Sequence, residues 1–255
     1  MGDLLTYLPP LARGAWMTII LCLIVGVAGS ILGFVIGLAR ASSIGVLRWV
    51  SAIYTNFLRG IPLLIILLFT YFALPLLIPG AVFSQLMSGA IGLTLFVSAY
   101  IAEVVRGAIE SVPRGQYEAA EALGLGFFNK FRYVIVPQAM RVMVPPWVGI
   151  LLAMIKDSSL VSVIGFVDLT QAGKIVGTTT MQPLWAFVVV GAVYFFICYP
   201  LGRFGRWYEK RLSISLARPP DTLQILMPAV TGLLEHEPPE LPESPESPRD
   251  AGGTT

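Results

Sequence analysis

The sequence predicts an all-α membrane protein, a polytopic bundle of about five transmembrane helices with a substantial loop between the third and fourth. Three observations carry that expectation. Hydrophobic residues make up 56% of the chain and charged ones 13%, against roughly 25% charged in an average soluble domain. Long stretches carry no Lys, Arg, Asp or Glu at all, from Gly14 to Ala39, Gly60 to Ala102 and Ile175 to Gly202. A spanning helix needs about 20 mostly apolar residues, so the middle run has room for two. The remaining Lys and Arg residues gather in alternate loops, as a chain crossing the membrane an odd number of times requires.

The first span is expected over about Trp16 to Leu38. It carries Gly29, Gly33 and Gly37, small residues at a spacing that lets another helix approach closely in lipid, either inside the subunit or between subunits. Its apolar run is too long for the h-region of a cleavable signal. A segment that includes Arg48 places Leu47, Val50, Tyr54, Phe57 and Leu58 on one face and reads as an amphipathic lead-in. The second span follows over about Gly60 to Ile78, broken by Pro75 and Pro79-Gly80. The third is expected at Gln85 to Ile109, the fourth at Val142 to Gly165 with Pro145-Pro146 near its start, and the fifth at Pro183 to Gly202.

Orientation follows from the loops. Arg40, Arg48, Arg114, Lys130, Arg132, Arg141, Arg203, Arg206, Lys210 and Arg211 fall on one side; Arg13 and Lys174 fall on the other. The positive side is cytoplasmic, which puts the N-terminus outside and the C-terminus inside. Residues 1–216 form the membrane domain. Residues 217–255 are expected to be disordered, since EHEPPELPESPESPRD from Glu235 to Asp250 is acidic, proline-rich and too polar to offset its ordering entropy.

Enzymatic chemistry has little to work with. The single histidine, His236, lies in the tail, and Cys22 and Cys198 sit alone in separate apolar spans. No metal cluster or Ser-His or Cys-His pair can be assembled from these. None of the four lysines is followed by Ser or Thr, so a phosphate-binding loop of the G-x-x-x-x-G-K-[ST] type is absent. Neither cofactor nor nucleic acid is expected. The informative segment is the loop over about residues 113–138. Gln116 to Leu123 reads as a short helix, Gly124-Leu-Gly126 as a turn, and a second short helix places Phe127, Phe131 and Val134 or Ile135 on one face until Pro137 ends it. Such a pair could fit a groove on a partner or fold back beneath the bundle.

Glu118-Ala119-Ala120, then Gly124, then Val136-Pro137 resembles the EAA loop of ABC-importer membrane subunits. Four more blocks are similar to the permeases of the polar amino acid uptake family. They are Asn56-Phe-Leu-Arg59-Gly60-Ile-Pro62-Leu-Leu, Ala99-Tyr-Ile-Ala-Glu103-Val-Val-Arg106-Gly107, Pro137-Gln138-Ala139, and Lys156-Asp157-Ser158-Ser159-Leu160 running on to Gly165. The resemblance covers about residues 10 to 212. Ile61 stands where Thr is usual, and the acidic tail has no counterpart.

The resemblance implies a bacterial inner-membrane importer of type I architecture. Two such subunits, identical or paralogous, would form the pathway, two ATPase subunits would bind below, and an extracytoplasmic solute-binding protein would deliver an amino acid. Glu118, Ala119, Ala120, Gly124, Phe127, Phe131 and Pro137 would form the contact with the ATPase, ATP being used there and not in this chain. A secondary transporter or channel, needing no ATPase, is the alternative.

Ionisable groups inside a bilayer usually face a cavity or one another. Glu103 precedes Arg114 by eleven residues, about 16 Å of helix, and Lys156 follows Arg141 by fifteen, about 22 Å. Both are therefore expected deep in the core. An acid and a base together suit a zwitterion, with the ammonium on Glu103 or Asp157, the carboxylate on Lys156 or Arg59, and Asn56 and Ser158 alongside. The competing reading pairs Glu103 with Arg106, one helical turn on, and Lys156 with Asp157 or a carbonyl.

Overall fold

A computed structural model describes residues 7–78 and 82–216. The elements are α1 (Leu8–Arg40), α2 (Gly45–Gly60), α3 (Leu63–Leu68), α4 (Leu74–Leu77), α5 (Gln85–Glu110), α6 (Arg114–Ala122), α7 (Phe127–Lys130), α8 (Val136–Asp157), α9 (Leu169–Thr179) and α10 (Pro183–Leu216). Among the described residues four helical stretches are long and apolar enough to span alone: Leu8–Arg40, Gln85–Glu110, Phe127–Ile164 and Pro183–Arg211. The expected acidic tail, residues 217–255, and the Pro79-Gly80 break lie outside the described residues.

The second span departs from expectation. It is a pair of helices, Gly45–Gly60 and Leu63–Leu77, bent by 104°. The cause is local: a residue before proline is driven from helical to extended geometry, and Ile61, before Pro62, has φ −105° and ψ 135°. The fifteen-residue second limb rises only about 22 Å, short of a hydrocarbon core of about 30 Å. The amphipathic reading of α2 holds, with Ser51 and Thr55 buried and Val46, Trp49, Val50, Ile53 and Phe57 exposed.

Prolines expected to break helices are instead carried by π turns. Phe69–Ala73 is a π segment two residues before Pro75, and Phe131–Ile135 repeats the arrangement two residues before Pro137. Proline lacks an amide hydrogen and its ring strikes the carbonyl four residues back; the wider π turn removes that clash. Pro137 therefore does not end the second loop helix, which runs unbroken from Phe127 into the fourth span. Pro145 and Pro146 lie inside α8 rather than near its start.

The Gly29, Gly33 and Gly37 ridge packs inside the subunit. A Cβ at Gly33 would lie 2.7 Å from Ile101 Cβ and 2.9 Å from the Ser98 carbonyl, and one at Gly37 would lie 2.5 Å from Val105 Cβ. Helices α1 and α5 thus run in parallel at close contact, with Leu21, Val25, Leu93, Val97, Ile101 and Val105 buried in the core between them and their neighbours. At the other end, Leu11, Leu169, Ala172, Val176, Ala186 and Val190 form a second apolar cluster. Here α9, which the hydropathy pattern does not reveal, is clamped against α1.

Candidate functional site

The six residues expected to contact substrate fall into two groups. Glu103 lies seven residues before the end of α5, level with the last residue of α1, and not at mid-span. Its Oε2 is 2.9 Å from Arg40 Nε and 3.8 Å from Arg59 Nη1, while Oε1 accepts from Arg106 Nε at 3.1 Å and also pairs with Arg106 Nη2. Arg106 pairs in addition with Glu110, the last residue of α5. Arg59 further rests over the Tyr100 ring, 5.4 Å from its centroid. Asn56 is exposed on α2, one turn before Arg59. Three guanidiniums thus share one carboxylate, and the site expected for a substrate ammonium is filled by arginine.

Lys156, Asp157 and Ser158 stand at the end of α8. Ser158 is buried and its hydroxyl donates to the Ile155 carbonyl at 2.7 Å. Lys156 is exposed and makes no ion pair among the described residues, so the competing alternative of a salt bridge to Asp157 is not formed. It lines an open cleft of about 510 Å³ between α8 and α10, with Leu152, Tyr194, Cys198, Gly202 and Arg206. Gly202 of α10, without a side chain, lines this cleft opposite Leu152 of α8, whereas at Gly205 the two helices approach closely, a Cβ there lying 3.0 Å from Val148 Cγ1.

In the loop between the third and fourth spans, α6 ends where Gly124 turns with φ +71°, a backbone angle that L side chains rarely adopt. Glu118 and Ala119 are exposed and Ala120 is buried. The aromatic face is split: Phe127 and Phe128 are 78% and 69% exposed and Leu123 79%, whereas Phe131 and Val134 pack towards the core and Ile135 is fully buried. Phe131 stacks on Phe127, ring centroids 6.3 Å apart. The exposed ridge is therefore Leu123, Phe127 and Phe128, with Phe131 as its support. Lys130 Nζ bridges to Glu121 Oε1 at 2.5 Å across the turn.

Residues 29–214 match the family described as binding-protein-dependent transport system inner membrane component. The chain belongs to that family. A similar curated relative is the probable amino-acid ABC transporter permease protein YckA of Bacillus subtilis (strain 168), 37% identical over 80% of this chain and 90% of the relative. The L-cystine transport system permease protein TcyB of the same organism is 33% identical over 84% of this chain and 91% of its own length. Among solved structures, an amino acid ABC transporter crystallised with histidines superposes with a TM-score of 0.75 at 33% identity, covering 82% of this chain and 97% of that one. The MetNI methionine ABC transporter in an inward-facing conformation gives 0.63 at 25% identity, over 78% and 95%.

One polar centre of this permease escaped the sequence reading. Asp168, fully buried, caps α9 by accepting from Gln171 N at 2.8 Å and accepts from the Tyr194 hydroxyl of α10 at 3.3 Å. The next amide, Leu169 N, donates to Thr18 Oγ1 of α1 at 3.0 Å. Burial raises the Asp168 carboxyl above its ordinary pKa, against the hydrogen bonds that favour its charge. The available signal was Asp168-Leu-Thr-Gln171, a helix-start pattern of capping residue and amide three residues on.

Proposed function

We propose that this chain is the membrane-spanning subunit of an ATP-driven importer of amino acids, coupled through the loop from Pro113 to Gln138 to separate ATPase subunits. Two copies, or this chain and a paralogue, enclose the pathway, and a solute-binding protein delivers the amino acid from outside. The N-terminus lies outside and the C-terminus in the cytoplasm, the orientation that puts the basic helix ends inside.

The observation that carries this reading is Lys156. A charged group at this depth costs about 2.5 to 3.5 kcal/mol in hydrocarbon and ordinarily finds a partner. Lys156 instead lines a cleft and forms no ion pair among the described residues, which leaves it open to a carboxylate. Asp157 beside it takes the ammonium, and Ser158 fixes the turn that presents both. Glu103 and Arg59, with Asn56 near them, hold the cytoplasmic ends of α1, α2 and α5 together instead of binding substrate. The exposed Leu123, Phe127 and Phe128 ridge, carried by Glu118 to Gly124 and braced by Phe131 and Pro137, is the face gripped by the ATPase. ATP binding draws the ATPases together and tilts the spans between inward-open and outward-open states.

The test is uptake by proteoliposomes holding the assembled importer, with radiolabelled glutamine, arginine and cystine, the substrates named for curated relatives. Uptake should require ATP, and Lys156→Met should abolish it while the ATPase remains bound. Uptake that persists without ATP favours a secondary transporter. Uptake by Lys156→Met at the wild-type rate removes the carboxylate assignment.

A further inference from the structure

Gln138, the middle residue of the motif Pro137-Gln138-Ala139, has no part in the contacts above, and its side chain has an unusual arrangement. The Gln138 side chain spends both amide hydrogens: Nε2 donates to the Val134 carbonyl at 3.0 Å and to Gln116 Oε1, also at 3.0 Å. Both partners are acceptors, so the amide has one orientation that satisfies it. The first bond anchors Gln138 on the π turn that Pro137 requires. The second crosses to α6, the helix carrying Glu118. On its other side α6 is fastened to α5, where the Tyr117 hydroxyl donates to the Ile109 carbonyl at 3.3 Å.

We infer that Gln138 and Gln116 form a strut that positions α6 on α8 and passes movement of the loop into the span. This rests on the importer reading of the preceding section. The mechanical argument is one of stiffness. The turn at Leu123 to Gly126 and the π turn at Phe131–Ile135 are the two non-α-helical joints between α6 and α8. A direct side-chain link across them makes the base of α8 follow α6. Beyond that base, α8 continues for eighteen residues, about 27 Å, to Lys156. Gln138 is a positioning residue: it touches neither substrate nor any exposed part of the ridge.

The experiment measures amino acid taken up per ATP hydrolysed by the complete importer in proteoliposomes, using whichever labelled amino acid the wild type carries. Gln138→Ala and Gln116→Ala should each lower that ratio about fivefold, the size expected of one hydrogen bond, with complex assembly and ATP hydrolysis retained. The Gln116→Ala, Gln138→Ala double variant should be no worse than either single one. Gln116→Glu with Gln138→Lys, which rebuilds the link as a charge-assisted bond, should restore the ratio. An unchanged ratio in the single variants, or a loss in the double variant equal to the product of the two, overturns the strut. Wild-type uptake that is independent of ATP overturns the importer reading and the strut with it, so the two failures are told apart by the wild-type control.

Discussion

At the scale of single residues, Asp168 is the group whose chemistry is most directly testable. Burial raises its pKa, so the folded state holds a proton more tightly than the unfolded chain does. Its protonation therefore contributes stability that is complete below the ordinary value of about 3.8 and is lost as pH rises through the raised folded pKa. Asp168→Asn imitates the protonated acid and keeps an acceptor for Gln171 N. In thermal melts of detergent-solubilised protein, the difference between Asp168→Asn and wild type should vary across that window and be constant outside it; a difference independent of pH refutes the assignment. Asp168→Ala, which lacks the cap, should be less stable than Asp168→Asn by about 1 kcal/mol at every pH. The residue types at the ion cluster were visible in the sequence, but their partners were not. Arg106, three residues from Glu103 on one helix, could be anticipated. Arg40 and Arg59 reach Glu103 only because the Ile61-Pro62 bend and the α1–α5 contact bring three helix ends together.

At the scale of elements, long spans were legible because lipid demands apolar length, and length is written in one dimension. Gln85–Glu110 was located to within a residue for this reason. Elements set by backbone detail were not: the π turns ahead of Pro75 and Pro137, the bend at Pro62, and α9, whose apolar residues are too few to register as a span. The glycine ridge illustrates the boundary. Its spacing announced a close helix contact, and only the three-dimensional arrangement showed the partner to be α5 of the same chain. Gly33→Ala should cost about 1 to 3 kcal/mol, since the new methyl meets Ile101 and the Ser98 backbone and neither can yield without moving the helix. Gly107→Ala, on α5 with nothing within 4 Å, should leave the melting temperature unchanged or raise it slightly through helix propensity. Equal effects at the two positions would contradict the packing described here.

At the scale of the whole molecule, apolar surface means different things at different depths. Exposed Phe and Val along α10 belong to a helix long and apolar enough to span, where lipid covers them without cost. Leu123, Phe127 and Phe128 have no such cover, because they belong to the loop beyond the spans, beside Arg114, Lys130 and Arg132. Apolar surface on such a loop, rimmed by charge, marks a protein contact. These side chains are largely exposed, so Phe127→Ser with Phe128→Ser removes little that the fold uses, and the melting temperature of the isolated chain should stay near the wild-type value. The same double substitution should eliminate co-purification of the ATPase subunit and, with it, ATP-driven uptake. Phe131→Ser is the contrasting variant: its ring supports Phe127 and packs towards the core, so it should lower stability and ATPase capture together. If the ATPase stays bound after both exposed rings are lost, the docking face lies elsewhere on the basic end, and Glu118 and Gly124 would have to hold the partner through the backbone of the turn.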